Sequence, residues 1–206
     1  MSSARKCHEI TSPVHFTQQH SRRLLKLVGR RNQRELQRNY RVKTMKLDKQ
    51  VLEFIRRLQN SAPVDITGIA KVLGLKVWES RQLPAEVAGK LFRDRSSSLG
   101  QQQYNIVVRA QDPMVRKRFT VAHEIAHFLL HRGLFATELV DDSLYRSGLS
   151  TPVEAQANAL AADLLMPWHL LMPVIDKPSA ELASLFQVSE QAMRIRLESG
   201  RVATAI

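Results

Sequence analysis

The sequence predicts an α+β fold: a small antiparallel sheet packed on a helical core, followed by two C-terminal helices in helix-turn-helix rhythm. Three observations point there. Strand-like runs cluster at 76–79, 87–92 and 104–108, whereas helical periodicity takes over after Pro113, and elements grouped in this way exclude an alternating βαβ architecture. The composition, 44% hydrophobic and 24% charged over 206 residues, is that of a globular chain long enough to bury a core. A single cysteine, Cys7, excludes an internal disulfide framework and a thiolate-cluster metal site, and suits a reducing compartment.

Residues 1–46 carry twelve Lys or Arg against only Glu9 and Glu35, so most of the net charge of +12 belongs to a basic N-terminal arm. This arm is either a solvated extension or a tail making weak, sequence-independent contact with nucleic-acid phosphates. Translation from Met45 is a further expectation, because the patterning of a folded domain first emerges there. No run approaches the 18 apolar residues of a membrane span, and no secretory h-region occupies the first 30 residues, so the expected location is the cytoplasm.

From Asp48 to Gln59, the apolar Val51, Leu52, Phe54, Ile55 and Leu58 recur at helical spacing. Asp65 is placed to cap a short helix over Ile66 to Val72, and Gly74 to end it. Strands follow at Lys76 to Glu79 and Val87 to Phe92, then a turn from Arg95 to Gly100, then the β-branched run Tyr104 to Val108. Five helices are expected after Pro113, at about 113–131, 152–166, 167–175, 178–186 and 189–198.

The informative segment is the first of these, Arg118 to His131. At about 100° per residue, Thr120, His123, Glu124, His127 and His131 share one stripe about 100° wide, while apolar side chains cover the rest. Within the stripe, His123-Glu124-Ile125-Ala126-His127 is an H-E-x-x-H motif. Its spacing places two imidazoles one turn apart, where both can reach one Zn²⁺ at about 2.0–2.1 Å. Glu124 projects beside them as a proton carrier rather than a ligand. His131 lies eight residues from His123, about 12 Å along the axis, too far for both to share an ion; it is read as a helix C-terminal or rim residue.

A catalytic zinc usually takes three protein ligands. The helix beginning Thr151-Pro152 offers Glu154, with Asn158 one turn on, across a face of small alanines. Thr151 and Glu154 also form a capping box, in which the carboxylate would simply close the helix start. Glu138, Asp141, Asp142 and Asp163 compete for the ligand position, although Asp163 points to the side opposite Glu154.

Arg118-Phe-Thr-Val-Ala-His-Glu-Ile-Ala-His127, followed by Glu154-Ala-Gln-Ala-Asn-Ala-Leu-Ala-Ala-Asp-Leu-Leu-Met-Pro167, resembles the ImmA/IrrE family of zinc metallopeptidases over roughly residues 47–198. The resemblance implies a zincin-like core in which His123, His127 and Glu154 bind Zn²⁺, Glu124 is the catalytic carboxylate and Asn158 orients a ligand from behind it. It also implies a protein substrate, a helix-turn-helix transcriptional repressor encoded nearby. The domains expected on this basis are the basic arm 1–46, a zinc peptidase domain 47–175 and a C-terminal helical element 176–206.

In that C-terminal element Glu190, Arg194, Arg196 and Glu198 cancel, and Gln187 stands where a turn glycine is expected, which favours a packing element over a DNA-reading one. The strand Tyr104 to Val108 is expected to hold extended substrate by strand addition, and Tyr145 is a candidate for stabilising the oxyanion. The alternative is a non-catalytic regulator that binds DNA or protein and carries a structural zinc site.

Overall fold

The computed structural model describes residues 49–94, 103–131 and 151–203. The basic arm, the Arg95 to Gly100 turn, Glu138, Asp141, Asp142 and Tyr145 lie outside the described residues.

Helix α1 (Lys49–Leu58) buries Val51 and Ile55, one turn apart, and leaves Leu52 exposed. Helix α2 (Ile66–Val72) starts where expected: the Asp65 carboxylate accepts from the Gly68 N–H and the Thr67 hydroxyl, both at 2.8 Å. Gly74, at φ 78°, then turns the chain into strand β1 (Leu75–Ser80), a conformation that costs glycine little. Strands β2 (Gly89–Asp94) and β3 (Gln103–Arg109) complete a three-stranded sheet, and helices α3 (Met114–His131) and α4 (Thr151–Leu165) follow. A short helix α5 (Trp168–Leu171) leads through a 3₁₀ turn (Met172–Val174) to α6 (Ser179–Phe186) and α7 (Glu190–Ala203).

The α+β class holds, but the sheet is mixed rather than antiparallel. Its order is β1-β3-β2: β2 runs antiparallel to β3, whereas β1 runs parallel to it with Leu75 opposite Tyr104 and Val77 opposite Ile106. The three strands still alternate in direction along the chain, so inserting the third between the first two makes β1 and β3 parallel. Burial fits the insertion. In β3, Tyr104, Asn105, Ile106 and Val108 are all buried, as suits a central strand covered on both faces. The central position also removes the role expected for Tyr104 to Val108 in strand addition, because both hydrogen-bonding edges of β3 are taken by its neighbours.

Helix α3 lies across the sheet, with the Phe128 and Tyr104 rings edge to face at a centroid distance of 5.3 Å. One buried apolar cluster runs from Val51 to Met193 and includes Ile106, Ile125, Leu164 and Phe186, so the C-terminal helices share the core of the sheet and the central helices. Arg196 on α7 points inward. Its Nε donates to the Met166 carbonyl at 3.0 Å, its Nη2 lies 2.6 Å from Asp163 Oδ1, and its guanidinium stacks on Trp168. That side chain is committed to the protein's own groups, which fits the packing role. The corner between α6 and α7 does without glycine: Gln187 itself adopts the left-handed conformation, φ 52° and ψ 52°, and the Val188 N–H returns to the Ala183 carbonyl. Arg118 pins this corner to α3, donating to the carbonyls of Gln187 and Val64.

Candidate metal centre

Helices α3 and α4 make the site because small residues let them approach. Ala122 and Ala126 on α3, and Ala157 and Ala161 on α4, are fully buried. At about 100° per residue, Gln156 and Asn158 flank Ala157 on its two sides and so reach different parts of α3.

Three of the side chains singled out from the sequence converge there. His123 Nε2 and His127 Nε2 are 2.9 Å apart; Glu154 Oε2 lies 3.3 Å from the first and Glu154 Oε1 3.5 Å from the second. One ligand atom from each falls within 4.8 Å of the others. Both oxygens of Glu154 therefore face the imidazoles, in place of the turn back toward Thr151 that a capping box would require. Asn158 Oδ1 sits 3.0 Å from His123 Nδ1. Glu124 is on the same helix and only 4% exposed. Asp163 points away, toward Arg196.

Hydrogen-bond parity fixes what the cluster offers. Asn158 Oδ1 only accepts, so His123 Nδ1 carries the proton and its Nε2 presents a lone pair to the centre. Two imidazole lone pairs and a carboxylate facing one another form an all-acceptor set, which a cation would satisfy. The spacing suits such an ion, since ligand atoms around a tetrahedral Zn²⁺ at about 2.0–2.1 Å stand about 3.3 Å apart. Access is one-sided: the His123 and Glu154 side chains are 18% and 39% exposed, that of His127 3%.

Burial lowers the pKa of all three histidines. For His127 it does so together with the neighbouring His123 and His131, down to about 3. For His123 the Glu154 charge and the Asn158 bond partly oppose it. For His131 the Gln156 bond does so first. The imidazoles are thus held neutral, the form in which a metal is ligated.

His131 is the residue that spacing misplaced. It does end α3, but it is 1% exposed rather than at a rim, with Nδ1 3.1 Å from His127 Nδ1 and Nε2 3.2 Å from Gln156 Oε1. Its place on the polar stripe, four residues after His127, was the available signal; nothing in the sequence singled out Gln156.

No curated protein matches the chain significantly. The sequence profile of the IrrE N-terminal-like domain, peptidase family M78, matches residues 70–198, which spans the sheet, both helices of the candidate centre and the C-terminal pair. No helix among the described residues is long and apolar enough to cross a membrane. On the match over most of its length, the chain belongs to the ImmA/IrrE family of metallopeptidases.

Proposed function

We propose that the chain is a zinc-dependent endopeptidase with His123, His127 and Glu154 as ligands and Glu124 as the catalytic carboxylate. The observation that carries this reading is the convergence of the two Nε2 atoms and a carboxylate from a second helix. Two imidazoles and one carboxylate favour zinc over magnesium or calcium, which prefer oxygen-rich shells. When bound there, the ion supplies Lewis-acid polarisation of water and of the scissile carbonyl. The chain's residues do the rest. Asn158 keeps the His123 ring turned with Nε2 inward. Glu124 takes the proton of the attacking water and returns it to the departing amide nitrogen. The Phe119 ring, one turn back along α3, lies near parallel to His123 at a centroid distance of 6.3 Å.

Family membership supports a protein as the substrate; the substrate proposed is a regulatory protein, in the first instance a helix-turn-helix repressor encoded nearby, met in the cytoplasm. The test separates binding from chemistry. Glu124→Gln is expected to retain zinc while losing cleavage of that repressor on co-expression, by roughly the 10²–10⁴-fold that a general acid–base contributes. Cleavage at the wild-type rate by Glu124→Gln overturns the assignment.

A further inference from the structure

Behind the candidate centre lie two side chains that the proposed chemistry does not use. His131 is buried between α3 and α4, and its ring bridges His127 on its own helix and Gln156 on the next. We propose that His131 and Gln156 are positioning residues, forming a hydrogen-bonded chain that holds the His127 imidazole with its Nε2 directed at the metal. The inference rests on the zinc-site reading above and extends it to a second layer of residues.

The direction of the chain follows from donor and acceptor identity. Gln156 Oε1 can only accept, so the proton facing it at 3.2 Å belongs to His131 Nε2. A neutral imidazole has one N–H, so His131 Nδ1 is left as an acceptor. The atom 3.1 Å away, His127 Nδ1, must then donate, and His127 keeps its lone pair on Nε2, the atom that faces His123 Nε2 and Glu154. Reversing the order would set two lone pairs against each other at the Gln156 end. The chain therefore fixes both the tautomer and the rotation of His127, as partners of metal-binding histidines generally do.

His131 is not positioned as a ligand itself. Its ring meets His127 on the Nδ1 side, opposite the nitrogen that faces the cluster. A role confined to the α3 C-terminus would need neither the contact with His127 nor the one with Gln156. The two histidines are thus steadied by separate groups on α4, His123 by Asn158 directly and His127 by Gln156 through His131, on the two flanks of Ala157.

The experiment measures the zinc dissociation constant of the full chain by competition with a chromogenic chelator, with folding checked by circular dichroism. Gln156→Leu keeps the size and helix propensity of the side chain but removes the acceptor, and is expected to weaken zinc binding about 10–100-fold. Gln156→Glu restores an acceptor and is expected to bind as the wild type does. His131→Phe is expected to weaken binding as Gln156→Leu does, and the double variant to bind no more weakly than His131→Phe alone, because one broken link already severs the chain. Wild-type affinity in Gln156→Leu, or a loss that Gln156→Glu does not restore, overturns the proposal. If His131→Phe fails to fold, the two Gln156 variants decide it. His123→Ala separates the layers: if it leaves zinc affinity unchanged, the zinc site falls and the chain with it, whereas lost affinity there beside unchanged affinity in Gln156→Leu removes only the chain.

Discussion

Gly89 opens strand β2 at the point where that strand meets α3. A Cβ at this position would stand 2.4 Å from Thr120 Cγ2 and 2.8 Å from the Val107 carbonyl oxygen. Neither neighbour yields easily. The Thr120 hydroxyl donates to the Arg116 carbonyl at 3.0 Å, which fixes its rotamer, and Val107 belongs to the central strand, paired on both sides. Strand propensity alone would make Gly89→Ala stabilising by about 0.5–1 kcal/mol. Overpacking of a close-packed interior costs about 1–3 kcal/mol and outweighs it. Gly89→Ala is therefore expected to destabilise by about 1–2 kcal/mol in equilibrium urea unfolding. Adding Thr120→Ser, which deletes Cγ2 and keeps the hydroxyl, is expected to recover part of the loss and leave the Val107 contact. A Gly89→Ala protein as stable as the wild type, or more so, refutes the close approach of β2 to α3.

The lowered histidine pKa values make metal-free stability depend on pH. His127 titrates near 6.5 when unfolded and about 3 when folded, so the unfolded chain takes up the proton first as pH falls between those values. Stability is full above pH 6.5 and is expected to drop by about 1.4 kcal/mol per pH unit for this group below it; a flat urea midpoint across that window contradicts the burial assigned. Gln187→Gly relieves the left-handed backbone of a side-chain-bearing residue and is expected to raise stability by about 0.5–1 kcal/mol after the entropy gained by the unfolded chain. A destabilised Gln187→Gly would mean that the Gln187 side chain makes a contact outweighing that strain.

What the sequence disclosed tracks the range of the interactions concerned. His123 and His127 were legible because a helix fixes side chains four residues apart, whatever surrounds them. Asp65 and Gly74 were legible for the same local reason. Glu154 was only one of several acids until the family resemblance singled it out, since its approach depends on how closely Ala157 and Ala161 let α4 pack. The chain from His127 to Gln156 needed the register of two helices, and no periodicity records that; His131 ends its helix, as one of its two expected places has it, but is buried there rather than lying at a rim. The sheet order failed similarly. Direction alternates as expected, but the insertion of β3 is a long-range choice, hinted at only by the unbroken β-branched run Ile106 to Val108. At Gln187 the turn formed without the expected glycine, because the helix-ending hydrogen bonds of Val188 and of Gln187 itself are available to any residue that tolerates positive φ.

The most direct test of the metal centre is anomalous diffraction at the zinc edge from crystals of the zinc-loaded chain. One peak is predicted, about 2.0–2.1 Å from His123 Nε2, His127 Nε2 and a Glu154 oxygen, with its remaining position open to solvent. A peak elsewhere, or one enclosed by a fourth protein ligand, would contradict a hydrolytic zinc site.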